Sequence, residues 1–168
     1  MCYFDSNFAQ NLDDRISVSG IYEMIDDAGV VYTTAQGQGT VSQSTTEAEY
    51  RSGSKGGQGV VFTTNLVEEM LGEDSMKRPG LLVGDNEGSL FMMNNLTVGQ
   101  KTKHIDIKAH WVRQIIRDKY AKTRYIPSEH MPADIDTKNV DEKTFLRHAR
   151  KKRGLEYVSI DSMPTKRS

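Results

Sequence analysis

At 168 residues, with 36% hydrophobic and 27% charged side chains, the chain has the size and balance of one soluble domain with an ordinary core. No run approaches the roughly 20 apolar residues of a membrane helix, the N-terminus lacks the basic start of a secretory signal, and the lone Cys2 excludes an internal disulfide or a cysteine zinc site. A net charge of −1 argues against a strongly basic nucleic-acid binder, yet residues 1–50 hold eight acids and one base while residues 101–153 hold fifteen bases and seven acids.

Met1 to Phe4 reads as a short buried strand with Asp5-Ser6-Asn7 as its exit. Ser17 to Ile25 and Gly29 to Thr34 read as two strands joined through Asp26-Asp27-Ala28-Gly29, a hairpin signal, and Gly39 to Ser42 as a third short strand or a continuation. A helix is predicted from near Thr45 to Leu71, with Gly72 as its stop. Gly53, Gly56, Gly57 and Gly59 each cost about 1 kcal/mol relative to Ala inside a helix, so this segment predicts either a broken helix or unusually close packing. Pro79-Gly80 introduces an apolar strand ending at Asp85, and a short helix follows through Leu90, Phe91 and Met92. Ile105, Ala109, Val112 and Ile116 mark one face of a helix over 102–118, with Trp111 in the core. Arg124 to Pro127 reads as a strand. A last helix spans Asp141 to Arg153, with Phe145, Leu146 and Ala149 inward and Gly154 as its stop. The expected organisation is one domain over 1–153 and a loose tail over 154–168, with a mixed α/β sheet in which Asp5 and Asp85 become neighbours if their strands pair in parallel.

Four acids occupy four different settings: Asp5 after the opening apolar run, Glu49 where a helix begins, Asp85 at a strand end, and Asp134 after a short loop. Carboxylates gathered from distant strand ends and helix faces suit a site for two divalent cations able to cut a phosphodiester. Each acid also has a plainer explanation. Asp5 reads as a solvated strand-end acid, Glu49 as the far end of a Thr46-x-x-Glu49 capping box, Asp85 as a turn with Asn86, and Asp134 as a first-turn acid facing a helix dipole. Ser44-x-x-Glu47 is a competing box; if Ser44 caps, Glu49 is free for metal. His104 and His110 lie six apart, which is not the spacing of a helical zinc pair, and the glycine run 53–59 lacks the Gly-Lys-[Ser/Thr] ending of a phosphate loop.

The words around the acids carry a resemblance. Asp5-Ser6-Asn7-Phe8-Ala9, Asp13-Asp14-Arg15-Ile16-Ser17-Val18-Ser19-Gly20, Ser44-Thr45-Thr46-Glu47-Ala48-Glu49-Tyr50, Asp85-Asn86, Thr102-Lys103-His104-Ile105-Asp106-Ile107, and Tyr125-Ile126-Pro127-Ser128-Glu129 through Ala133-Asp134-Ile135 and Thr137-Lys138 follow one another in order. Over residues 3–140 the chain resembles the ribonuclease H domain that ends the polyprotein of copia-type LTR retrotransposons. The resemblance implies a ribonuclease H-like α/β fold: a five-stranded mixed sheet flanked by helices. It implies endonucleolytic hydrolysis of the RNA strand of an RNA–DNA hybrid with two Mg²⁺ ions, for which Mn²⁺ substitutes. Asp5, Glu49, Asp85 and Asp134 are the implied catalytic metal ligands: Asp5 bridges both ions, Glu49 and Asp85 share the ion near the leaving 3′-oxygen, and Asp134 holds the ion that activates water. A reverse transcriptase domain of the parent polyprotein is the implied partner, no membrane is involved, and the implied location is intracellular, in a cytoplasmic virus-like particle.

Substrate contacts are assigned by proximity. Asn7, Ser44, Thr45 and Asn86 lie beside the acids in sequence and suit the 2′-hydroxyls that distinguish a hybrid from DNA. Lys101, Lys103, Lys108 and Arg113 suit phosphates. His130, four residues before Asp134, is an auxiliary candidate for product release. Ser128 receives no role, and its replacement by alanine is expected to be neutral. The alternative function is a retroelement-derived fold acting as a nucleic-acid-binding or scaffolding module.

Overall fold

The computed structural model describes residues 1–9, 15–25, 29–73, 75–76, 78–95 and 107–155, the side chains of 107–110 excepted. Five strands, β1 (Cys2–Asn7), β2 (Val18–Met24), β3 (Val30–Gly37), β4 (Gly80–Gly84) and β5 (Ala121–Tyr125), form one sheet in the order β3-β2-β1-β4-β5. The first three run antiparallel, whereas β4 lies parallel to both β1 and β5. This is the expected five-stranded mixed sheet. Its parallel pairing of Cys2 with Leu82 and Tyr3 with Val83 directs the ends of β1 and β4 to one edge.

Side chains alternate across the sheet with period two. Cys2, Phe4, Ile21 and Leu82 enter one core with Tyr50, Val60, Leu90, Val112 and Ile115, under α1 (Thr45–Leu71), α2 (Glu87–Asn94) and α3 (Ile107–Arg117). Tyr3, Tyr22 and Val83 enter a second core with Ile126, Met131 and Ala133 on the opposite face. There the chain places a 3₁₀ turn (Ser128–His130), the short α4 (Asp134–Thr137) and α5 (Glu142–Lys152).

The glycine-rich helix is continuous, and close packing explains its composition. A Cβ on Gly53 would stand 2.1 Å from Met93 Cε and 3.0 Å from the Phe4 ring. The helix therefore lies nearer the sheet than alanines would permit. Ser44 caps it, its Oγ accepting from the Glu47 amide at 3.1 Å, and the Glu47 carboxylate accepts the Gln43 amide at 2.9 Å. The capping role thus falls to Ser44 and Glu47, and Glu49 is left for other partners.

Several element expectations need correction. Gly39 to Ser42 forms no strand, and the last strand lies at Ala121–Tyr125 rather than Arg124 to Pro127. Phe145 and Leu146 do not point inward on α5; His148 and Lys151 do. Lys151 is held by the Tyr3 hydroxyl at 3.1 Å, with its Nζ 4.5 Å from that ring's centroid, and Lys152 pairs with Asp136. The Tyr3 and Tyr22 phenols of the sheet and the Asp136 carboxylate of α4 accept lysine stems more readily than they accept Phe145. The hairpin residues 26–28, the start of the 102–118 helix and the 156–168 part of the tail lie outside the described residues. Trp111 packs against the first core, as expected.

Candidate active site

Parallel pairing fixes the first two acids. Asp5 lies in β1 opposite Gly20 of β2, and Asp85 follows the last residue of β4 directly. Glu49 comes from the second turn of α1, whose N-terminus lies over the same sheet edge. Ligand oxygens of Asp5, Glu49 and Asp85 all lie within 4.8 Å of one another. Asp134, the first residue of α4, approaches Asp5 from the other side of the sheet, and the two carboxyls interact directly.

Each acid has a dedicated support. The Ser6 amide and hydroxyl both donate to Glu49 Oε1 at 2.8 Å, a consequence of Ser6 sharing Phe4's side of the sheet. Glu49 Oε2 is buried with no hydrogen-bond partner among the described residues. Thr137 donates its hydroxyl to Asp5 Oδ2, and Ser128 donates to Asp85 Oδ2 at 2.6 Å. Lys138 places its Nζ 3.0 Å from Asp134 Oδ1 and 3.9 Å from Asp5 Oδ2. Thr137, Lys138 and Ser128 are the site residues that sequence reasoning passed over. All three lie within matched motifs, but a motif match does not say which side chains turn toward the acids.

Gathering these groups without a counter-ion is electrostatically costly. Burial, followed by repulsion from Asp134, pushes the Asp5 carboxyl up to about 7, against relief from Lys138 and Thr137. Burial, then Asp5 and Asp85, pushes Glu49 up to about 9. Burial raises Asp134 too, and Lys138 opposes it. Burial alone would lower the Lys138 ammonium, but Asp5 and Asp134 hold it above its ordinary value. A buried oxygen without a partner, on an acid gathered with two other carboxylates, fits a divalent cation, and an all-oxygen donor set with a hydroxyl nearby suits a hard ion such as Mg²⁺ or Mn²⁺.

An open cleft surrounds the acids, lined by Thr45, Thr46, Asn86, Tyr125, Ser128 and Lys138. Thr45 and Asn86 thus reach the site, although the Asn86 side chain also caps α2, its Oδ1 accepting from the Ser89 amide at 2.8 Å. Ser44 is spent on the α1 cap. Asn7 is turned to α4, its amide donating to the Thr137 carbonyl at 2.7 Å. His130 is half-buried at the end of the 3₁₀ turn and is not among the cleft-lining residues. Arg113 is not a surface phosphate contact: it is buried, donates to the Met92 carbonyl at 2.8 Å and lies over the Tyr50 ring. Lys101 and Lys103 fall outside the described residues, as does the side chain of Lys108.

Comparison with known proteins bears on the fold and on ancestry. No family model matches the chain. It is 28% identical over 143 residues to the retrovirus-related Pol polyprotein from transposon TNT 1-94 of Nicotiana tabacum, covering 85% of this chain and 10% of that protein. The chain spans about a tenth of the length of the curated relatives it matches. Among solved structures, LC11-RNase H1 isolated from compost superposes with a TM-score of 0.56 at 14% identity, covering 81% of this chain and 90% of that one. The N-terminal RNase H domain of rv2228c from Mycobacterium tuberculosis gives 0.54 at 12% identity, covering 89% and 96%.

Proposed function

This chain has the ribonuclease H fold and is homologous to the retrovirus-related Pol polyproteins of plant transposons; from that premise we propose that it hydrolyses the RNA strand of RNA–DNA hybrids with divalent cations held by Asp5, Glu49, Asp85 and Asp134. The observation that carries the reading is the meeting of Asp5, Glu49 and Asp85 within 4.8 Å, with a buried Glu49 oxygen left over. When bound, the cations would supply charge relief at the phosphate and ease proton loss from water. The chain's own residues do the positioning. Ser6 holds Glu49 Oε1, Ser128 holds Asp85 Oδ2 and Thr137 holds Asp5 Oδ2, which restrains the rotamer of each acid. Lys138 supplies positive charge between Asp5 and Asp134. Thr45 and Asn86, which line the cleft, would meet 2′-hydroxyls.

The test is a gel assay with an end-labelled hybrid and Mg²⁺ or Mn²⁺. Cleavage should leave 3′-hydroxyl and 5′-phosphate ends, with little action on duplex DNA or duplex RNA. Asp5→Asn or Asp85→Asn should each lower the rate about a thousandfold or more. Folded protein that cuts no hybrid with either metal at low salt sinks the catalytic reading and leaves the binding module in its place.

A further inference from the structure

Two outward faces take no part in the site. In the second half of α1, Phe62, Leu66 and Met70 recur every fourth residue and form one stripe, exposed to 67%, 43% and 71%. Glu69 lies on the same stripe and has no partner among the described residues, while Glu68 is taken by Arg78. Residues 61–73 carry three acids and no base. On α5, Phe145 and Leu146 stand out at 50% and 52% exposure, and Lys143, Arg147 and Arg150 line a shallow groove around Leu146. Of the six bases in residues 142–153, Lys151 and Lys152 turn inward, so the charge of this face comes from Lys143, Arg147 and Arg150. Arg147 donates to the neutral Glu129 carbonyl, which leaves its charge uncompensated by that contact.

We propose that these faces are the two halves of one head-to-tail contact between copies of this chain, the acidic, apolar stripe of α1 seated on the basic, apolar face of α5 of the next copy. The signs are complementary and each face has an apolar centre, so contact would bury side chains that each face alone leaves in water. The faces lie on opposite sides of the sheet: α1 packs on the Phe4 and Leu82 side, and α5 on the Tyr3 and Tyr22 side. One molecule therefore cannot close the pair upon itself. A nucleic acid would answer the α5 charges but leave the α1 stripe uncovered. Because the two halves differ, a single contact between two copies leaves one α1 face and one α5 face open, and copies add head to tail unless the rotation closes a ring. Its modest extent makes the association weak, and its charges make it salt-sensitive.

Sedimentation velocity of the full chain over a broad concentration range tests this. The weight-average mass should climb past that of a dimer as concentration rises and retreat as salt is added. Phe62→Ser with Met70→Ser closes the α1 face, and Phe145→Ser with Leu146→Ser closes the α5 face; all four side chains are exposed, and melting curves verify folding. Each double variant alone should stay monomeric. An equimolar mixture should form a heterodimer, because the first retains its α5 face and the second its α1 face. Glu69→Lys and Lys143→Glu should each weaken association about tenfold and recover when mixed. A wild-type chain that is monomeric at every concentration overturns the proposal. So does association that survives Phe145→Ser with Leu146→Ser, or that requires added nucleic acid.

Discussion

Ser128 donates to Asp85 Oδ2 at 2.6 Å from the loop between β5 and α4, so the rotamer of a proposed cation ligand depends on a residue outside the acid set. Groups that orient ligands in this way are worth roughly 10–100-fold in metal affinity or activity when removed. Ser128→Ala is therefore expected to lower hybrid cleavage about tenfold and to raise the Mg²⁺ concentration needed for half-maximal rate, with Ser128→Thr largely restoring both. This reverses the neutral outcome that the sequence suggested. A cation titration of the cleavage rate checks it; an unchanged titration would make the hydrogen bond incidental. Ser6, Thr137 and Lys138 belong with Ser128, since each touches an acid that the sequence singled out while being ordinary in itself.

At the scale of elements, the site depends on how closely α4 approaches β2. A Cβ on Gly20, opposite Asp5 in the sheet, would lie 2.5 Å from Thr137 Cγ2 and 3.0 Å from the Ala133 carbonyl oxygen. Backbone cannot yield as a side-chain tip does, so Gly20→Ala should displace α4 and carry Thr137 and Asp134 away from Asp5. The expected cost is about 1–3 kcal/mol of stability together with loss of cleavage. Gly39→Ala, with open space around it, should change neither. Thermal melting and the gel assay on both variants check the contrast. Packing of this kind explains what was legible in the sequence. The strand leading to Asp85 and the start of α1 near Thr45 followed from local chemistry and from apolar runs, whereas the parallel pairing that makes Asp5 and Asp85 neighbours was only a condition, and the first strand runs on to Asn7 rather than ending at Phe4. The continuity of α1 did not, because the glycine penalty is local whereas its compensation comes from Met93 and Phe4, remote in sequence. Nor did the orientation of α5 follow, since the partners that draw Lys151 and Lys152 inward are Tyr3, Tyr22 and Asp136.

For the whole molecule, buried ionisable groups set two opposing limbs of stability against pH. His148 is 2% exposed, and its burial, with Arg147 and Lys151 nearby, lowers its folded value to about 4 from an ordinary 6.5. Between these values the unfolded chain binds the extra proton, so stability is full above about 6.5 and is lost as pH falls toward 4. The acid cluster has the opposite sign. Asp5 and Glu49 are raised to about 7 and about 9 from 3.8 and 4.5, so above the ordinary carboxylate range the folded state holds more protons than the unfolded one. Stability from these groups is full below about 4 and is lost as pH rises through 7 and 9; buried Glu23, also raised by desolvation, adds to the same limb. The raised carboxylates outnumber the one depressed histidine, so without cations the melting temperature should fall as pH rises from about 5 to 9, with His148 blunting the fall below about 6.5. A divalent cation that binds the folded state alone raises stability by mass action, about 2.7 kcal/mol at a hundred times Kd. It also competes with the protons on Asp5 and Glu49, so its increment should grow from pH 5 to pH 8 and flatten the alkaline limb. Asp5→Asn should remove most of that increment, while His148→Asn should steepen the fall between about pH 4 and 6.5 and leave the cation response intact. Melting curves with Mn²⁺ or with chelator across this pH range decide the matter: an increment independent of pH would mean that the cation binds away from the protonated acids, and the clustered site would lose its thermodynamic support.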